Sequence, residues 1–191
     1  MEIDKETLPP GGRWFVSVEP SETVKTDLER LKTAVSGIRW TPFHQFHLTL
    51  RFIGEAGPDT VRRIARNLEK IRVEPFILET EGIGCFPSKG RPRILWAGFG
   101  SGHPRLFQLR QKVEESIVSA ALEPETRRFH PHITLARCGN ASPGAIKEFL
   151  KTHREHAGAP FRVERFSLFV SRLTSDGAIH EEAEAYPLVP E

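Results

Sequence analysis

The chain has 191 residues, 38% of them apolar and 27% charged, with a formal net charge of +2. That balance is ordinary for a globular protein and fits one domain, or two small lobes sharing a core. No apolar run approaches the roughly 20 residues of a membrane span. The stretch 1–12 is acidic and broken by Pro and Gly, unlike a secretory signal, so cytoplasmic residence is expected. Cys85 and Cys138 form no C-x-x-C pair and are expected to be plain reduced thiols. The charge is too mild to announce nucleic-acid binding by itself. It gathers at Lys89, Arg91 and Arg93, and at Arg127 and Arg128 ahead of His130. These clusters are either solvated loop charge or a positive rim that attracts a phosphate-bearing substrate.

A strand is expected over 14–18, followed by a helix over 21–35. Val24, Leu28, Leu31 and Val35 share one face of that helix, with Ser21 as its cap. A strand over 47–53 precedes a helix over 58–71, which carries Val61, Ile64, Ala65, Leu68 and Ile71 inward behind Pro58. Strands over 76–83 and 93–99 lead to a helix over 106–122 with Leu106, Leu109, Val113 and Ile117 buried. A strand over 132–137, a short helix over 143–153, and strands over 161–170 and 178–186 complete the chain. Helices and strands alternate without a long parallel series, which places the fold in the α+β class.

Two segments echo one another across the halves of the chain: His47-Leu48-Thr49-Leu50 and His132-Ile133-Thr134-Leu135. On a strand, His47 and Thr49 point to one face, and Leu48 and Leu50 to the other. The second segment behaves alike, presenting His132 and Thr134 together. Two imidazoles and two hydroxyls converging on a groove suit phosphoryl transfer at a cyclic phosphodiester. Imidazole titrates near pH 6.5, so one ring can take a proton from water while the other gives one to the leaving oxygen. The threonines can donate to the non-bridging oxygens, and no metal is needed in principle.

These motifs resemble those of the 2H phosphoesterases, and among them the RNA 2′,3′-cyclic phosphodiesterases, also described as 2′-5′ RNA ligases. The resemblance covers nearly the whole chain. It starts at R-W-F-V-S-V from Arg13 and continues with H-L-T-L-R-F-I-G-E from His47. F-P-S-K-G-R-P-R-I-L-W-A-G from Phe86 and P-H-I-T-L-A-R from Pro131 follow. It implies a single domain over 1–191, bilobal and duplicated about a pseudo-twofold. Two antiparallel sheets would line a central cleft, with helices outside.

The resemblance further implies hydrolysis of terminal 2′,3′-cyclic phosphates to 2′-phosphates without cofactor or metal, with 2′-5′ ligation as the reverse. His47 would be the proton donor, His132 the acceptor, and Thr49 and Thr134 the phosphate ligands. The expected partner is an RNA or oligonucleotide with a cyclic phosphate end, bound by a monomer with no membrane attachment.

One position departs from the family pattern. Relatives carry Arg two residues before the second motif histidine, where this chain has His130. Phosphate affinity is then expected to weaken as pH rises, unless Arg128 takes over. Arg13, Phe15 and Ser17 share a face that the family analogy turns toward the cleft. There Phe15 either stacks on a base or belongs to the core. Arg51, on the His47 face, is a further candidate for phosphate contact, whereas Trp40 and Trp96 read as core or lobe-interface aromatics. Two rival readings stand beside this one. His44, His47, His130 and His132 could ligate zinc. Alternatively, the same cleft could bind nucleotide or RNA without turnover.

Overall fold

The computed structural model describes residues 12–174 and 177–190; residues 1–11, most of the stretch read for a leader, lie outside them. The first half contains β1 (Arg13–Val18), α1 (Glu22–Arg30), β2 (Arg39–Trp40), a 3-10 turn (Phe43–Gln45), β3 (Leu48–Glu55), α2 (Pro58–Leu68) and β4 (Phe76–Leu78). The second contains β5 (Ile83–Phe86), β6 (Ile94–Gly98), α3 (Pro104–Val118), β7 (His132–Arg137), α4 (Pro143–Thr152), β8 (Phe161–Val163), β9 (Arg165–Thr174) and β10 (Gly177–Pro187). Among the described residues no helix is long and apolar enough to cross a membrane.

Eight strands form one open sheet in the order β10-β9-β1-β3-β7-β6-β5, with β2 also beside β7, while β4 and β8 pair in a separate two-stranded sheet. The two expected sheets are therefore joined, though narrowly: β3 and β7 meet at the single pair Leu48↔Ile133. Two like segments crossing antiparallel at one pair create a local pseudo-twofold there. One face of the sheet carries Trp14, Val16, Leu48, Leu50, Ile133 and Leu135, each at most 3% exposed. Burying each such side chain contributes about 1.5–3 kcal/mol. Helices cover that face: α3 lies along β3, and Phe149 of α4 meets Trp40 of β2 with ring centroids 5.5 Å apart.

The helices arise where apolar spacing predicts them but end differently. The amide of Val24 donates to Ser21 Oγ, so α1 is capped as expected, yet it stops at Arg30. α3 begins two residues early because His103 caps it, its Nδ1 accepting from the Arg105 amide at 3.1 Å. Two expected strands break. The run 76–83 splits because its first part pairs with β8 in the small sheet, after which Gly82, at φ +75°, turns the chain back to β6. The run 161–170 breaks at Glu164 for the same reason, β8 serving the small sheet and β9 the large one. β2, only two residues long, has no period to read.

Candidate active site

His47 immediately precedes β3 and His132 opens β7, so the pair Leu48↔Ile133 holds the two motifs side by side in opposite directions. Each ring is fixed in the same way. Nδ1 of His47 donates to the Gln45 carbonyl at 2.7 Å, and Nδ1 of His132 donates to the His130 carbonyl at 2.7 Å. With Nδ1 committed, Nε2 is the ring nitrogen left available for proton exchange.

Burial lowers both ring pKa values because it penalises the charged form. For His47 the value falls to about 4: the Gln45 carbonyl opposes the effect of burial, and charge on His180 or His132 adds to it. His132 is also pushed down by burial, against the bond to the His130 carbonyl and with a contribution from charge on His130. A charge on His132 is thus felt at His47. An acid–base pair formed by these two rings, one protonated and one neutral, would accordingly have its free-enzyme optimum on the acid side. We expect kcat/KM to fall about tenfold per pH unit above roughly pH 6.5. The kcat limb should lie higher, because the negative charge of a bound phosphodiester raises the ring that holds the proton. Rate profiles from pH 4 to 9 test this, and a kcat/KM limb breaking only above pH 8 would contradict it.

Aromatic rings surround each histidine. Phe15 lies 5.0 Å and His180 5.5 Å from His47, centroid to centroid. Phe86 lies 5.1 Å and Trp96 6.4 Å from His132, and His130 packs 4.7 Å from Trp96. Trp96 faces Thr134 across β6 and β7, and Ser17 faces Thr49 across β1 and β3. The indole of Trp96 fits because Gly84 is opposite it: a Cβ there would come within 2.2 Å of the ring. Buried polar atoms without a protein partner are rare. Here they include Ser17 Oγ, Trp96 Nε1 and His180 Nδ1, all beside the motif residues.

The structure overturns the placing of Arg51. β3 bulges against β1 after Thr49, where Ser17↔Thr49 is followed by Val16↔Arg51. The extra residue, Leu50, reverses the alternation. Arg51 therefore turns to the helical side, where Nε donates to Glu114 at 2.8 Å with only 9% of the side chain exposed. Phe52 takes its place on the cleft face, 57% exposed and 6.1 Å from Phe15. β7 repeats the device. Thr134↔Trp96 is followed by Ala136↔Leu95, so Arg137 arrives on the cleft face beside Arg39 of β2. Both arginines are exposed and make no side-chain ion pair among the described residues.

Phe15 does lie on the cleft face, but stacking with Phe169 at 5.3 Å leaves it 3% exposed, so it supports His47 and has no free face for a base. Arg13 opens β1 on the same face and is exposed, as is Arg128 in the loop before His130. Trp40 is a packing residue, its Nε1 donating to the Thr33 carbonyl. Among the described residues no three His, Cys, Asp or Glu side chains gather as a metal ion requires. Cys85 and Cys138 are free thiols.

Fold and site together set two histidines and two threonines side by side on one face of the sheet, and the comparisons with known proteins give the family. Residues 18–96 and 100–180 each match the model of the LigT-like phosphoesterases, one match per half of the chain. A protein of Aeropyrum pernix named RNA 2′,3′-cyclic phosphodiesterase is 38% identical over 137 residues, covering 71% of this chain and 78% of that one. A protein of Thermus thermophilus with the same name is 33% identical over 185 residues, covering 92% and 90%. The crystal structure of TT0787 from T. thermophilus superposes with a TM-score of 0.80 at 26% identity, over 94% and 99% of the two chains. LigT of E. coli complexed with 3′-AMP shares the fold, at TM-score 0.76 and 20% identity over 93% and 98%. The chain belongs to the LigT-like phosphoesterase family, and it is an enzyme, a hydrolase of phosphodiesters.

Proposed function

We propose that this enzyme opens 2′,3′-cyclic phosphates at RNA ends, leaving a 2′-phosphate, by proton transfer between two histidines and without a metal. The observation that carries the reading is the matched pair of rings, each with Nδ1 held by the carbonyl two residues back and Nε2 left for chemistry. The relatives' name supplies the substrate class. Water attacks phosphorus and gives a proton to Nε2 of His132. The bond from phosphorus to O3′ breaks, and Nε2 of His47 protonates the departing oxygen. With an RNA 5′-hydroxyl in place of water as the entering group, the same steps break the bond to O3′ and leave a 2′-5′ linkage. Thr49 and Thr134 donate to the non-bridging oxygens, where charge must be held. Arg137 and Arg39 add positive potential on the same face.

The chain works in this reading as one bilobal unit, since a single buried cluster includes Val16 and Leu48 from one half and Leu95 and Ile133 from the other. Hydrolysis of an oligonucleotide with a 2′,3′-cyclic phosphate end, with EDTA present, tests the proposal. An inert protein that still binds the oligonucleotide would make the cleft a recognition module.

Phe52 is the exposed aromatic on the cleft face and the platform on which a base can stack. Base–aromatic stacking is worth about 1–3 kcal/mol by alanine substitution. Phe52→Ala should therefore raise KM about tenfold for an oligonucleotide while kcat stays within about twofold. Steady-state kinetics decide this, and an unchanged KM would remove Phe52 from the substrate path.

A further inference from the structure

His180 enters the site from the far end of the chain. It lies on β10 opposite Ser171, and β9 carries it to β1 and so to the first motif. Its ring stands edge-on to both neighbours, 5.5 Å from His47 and 5.1 Å from Phe15. The placement is held by Gln45. The carbonyl of Gln45 accepts from His47 Nδ1, while its side-chain amide donates to the Ala178 carbonyl at 2.6 Å. One residue thus ties the catalytic ring and the strand carrying His180 to a common point.

The two nitrogens of His180 differ. Nδ1 is buried without a hydrogen-bond partner. Placing a proton there would leave a buried donor unmade, at a cost of about 1–3 kcal/mol. Nδ1 finds no partner whether bare or protonated, so Nε2 is the nitrogen left to meet the substrate, and the tautomer protonated there, the reverse of His47 and His132, makes it a donor. The cation, which needs both protons, is disfavoured for the same reason. Burial acts in the same direction, lowering the pKa of His180, with charge on His44 adding to it.

We infer that His180 is a third imidazole of the active site, a neutral donor that binds a ribose or phosphate oxygen of the substrate through Nε2–H on the His47 side. Its part differs from that of the two motif histidines. It transfers no proton and holds the substrate against the general acid. The inference rests on the reading of the cleft as a cyclic-phosphate site.

Two substitutions separate donation from packing. His180→Phe keeps a ring between Phe15 and His47 but has no donor, whereas His180→Gln sets an amide N–H near the position of Nε2. A hydrogen bond to a charged group is worth about 1.5–3 kcal/mol, so His180→Phe should lose about thirtyfold in kcat/KM on cyclic-phosphate RNA. His180→Gln should recover to within about threefold of wild type. A 2′-nucleotide product titrated calorimetrically should show the same order, weak for Phe and near wild type for Gln. Wild-type activity in His180→Phe, or equal losses in both variants, would overturn the inference. Should wild type turn over no cyclic phosphate, the hydrolase reading fails, and the titration still decides whether His180 donates.

Discussion

Alanine at His47 or at His132 should each lower hydrolysis of cyclic-phosphate RNA by about 10²–10⁴, since each removes one proton transfer. The double variant should be little worse than either single one, because the two rings act as a unit. The leaving group separates the roles. A p-nitrophenyl phosphodiester departs without protonation, so His47→Ala should recover most of its activity on that substrate. His132→Ala should remain impaired, because water still needs a base. Recovery in the opposite variant would exchange the roles of acid and base. A single variant retaining more than a tenth of wild-type activity on RNA would remove that ring from the chemistry.

Glu114→Ala should lower stability by about 3 kcal/mol, the usual cost of leaving a buried charge uncompensated. Glu114, on α3, accepts from Arg51 at 2.8 Å and from Arg110 at 2.7 Å, and their side chains are 9% and 11% exposed. Its other oxygen accepts from the Glu125 amide at 2.8 Å. Arg51 also donates to the Glu123 carbonyl, and Arg110 lies over the Phe129 ring. The hub therefore fastens the first motif strand and the loop that delivers His130 and His132. In a chain of this size, about 3 kcal/mol lowers the melting temperature by roughly 6–12 °C. Arg51→Met should cost less, because Glu114 keeps Arg110. Thermal unfolding and amide exchange at Glu125 check both, and a melting temperature within about 2 °C of wild type for Glu114→Ala would deny the hub its role.

Much of the architecture is local in origin and therefore legible. The four helices follow apolar spacing, and Ser21 caps α1 because its hydroxyl accepts from the Val24 amide. The motif strands follow a period of two, which is why His132 and Thr134 share a face opposite Ile133. Boundaries fail where a strand changes partner. Nothing within 76–83 says that Phe76–Leu78 pairs with Phe161–Val163 and the residues beyond Gly82 with β6.

At the site, the pairs His47 with Thr49 and His132 with Thr134 follow from alternation alone, up to the bulges. Beyond each bulge, alternation points to the wrong residue. It assigns Arg51 to the cleft, where the structure places Phe52, and it passes over Arg137. A bulge depends on how two strands fit together, so neither strand shows it alone. Phe15 is closed off because Phe169, on β9, stacks against it. Trp96 reaches the site because Gly84 on the next strand leaves space for its ring.

The sequence by itself determined which residues stand together in each motif, because a two-residue period sets each histidine and threonine side by side within one short segment. Only the tertiary structure decided what surrounds them. The pairing Leu48↔Ile133 brings the two segments together, and the pairing of β9 with β1 sets His180 beside His47. Burial, and with it the depressed pKa of both rings, is likewise a property of the assembled sheet. The reason is range: side-chain direction is fixed by neighbours in the chain, whereas proximity, solvent exclusion and charge coupling depend on contacts between segments far apart in it.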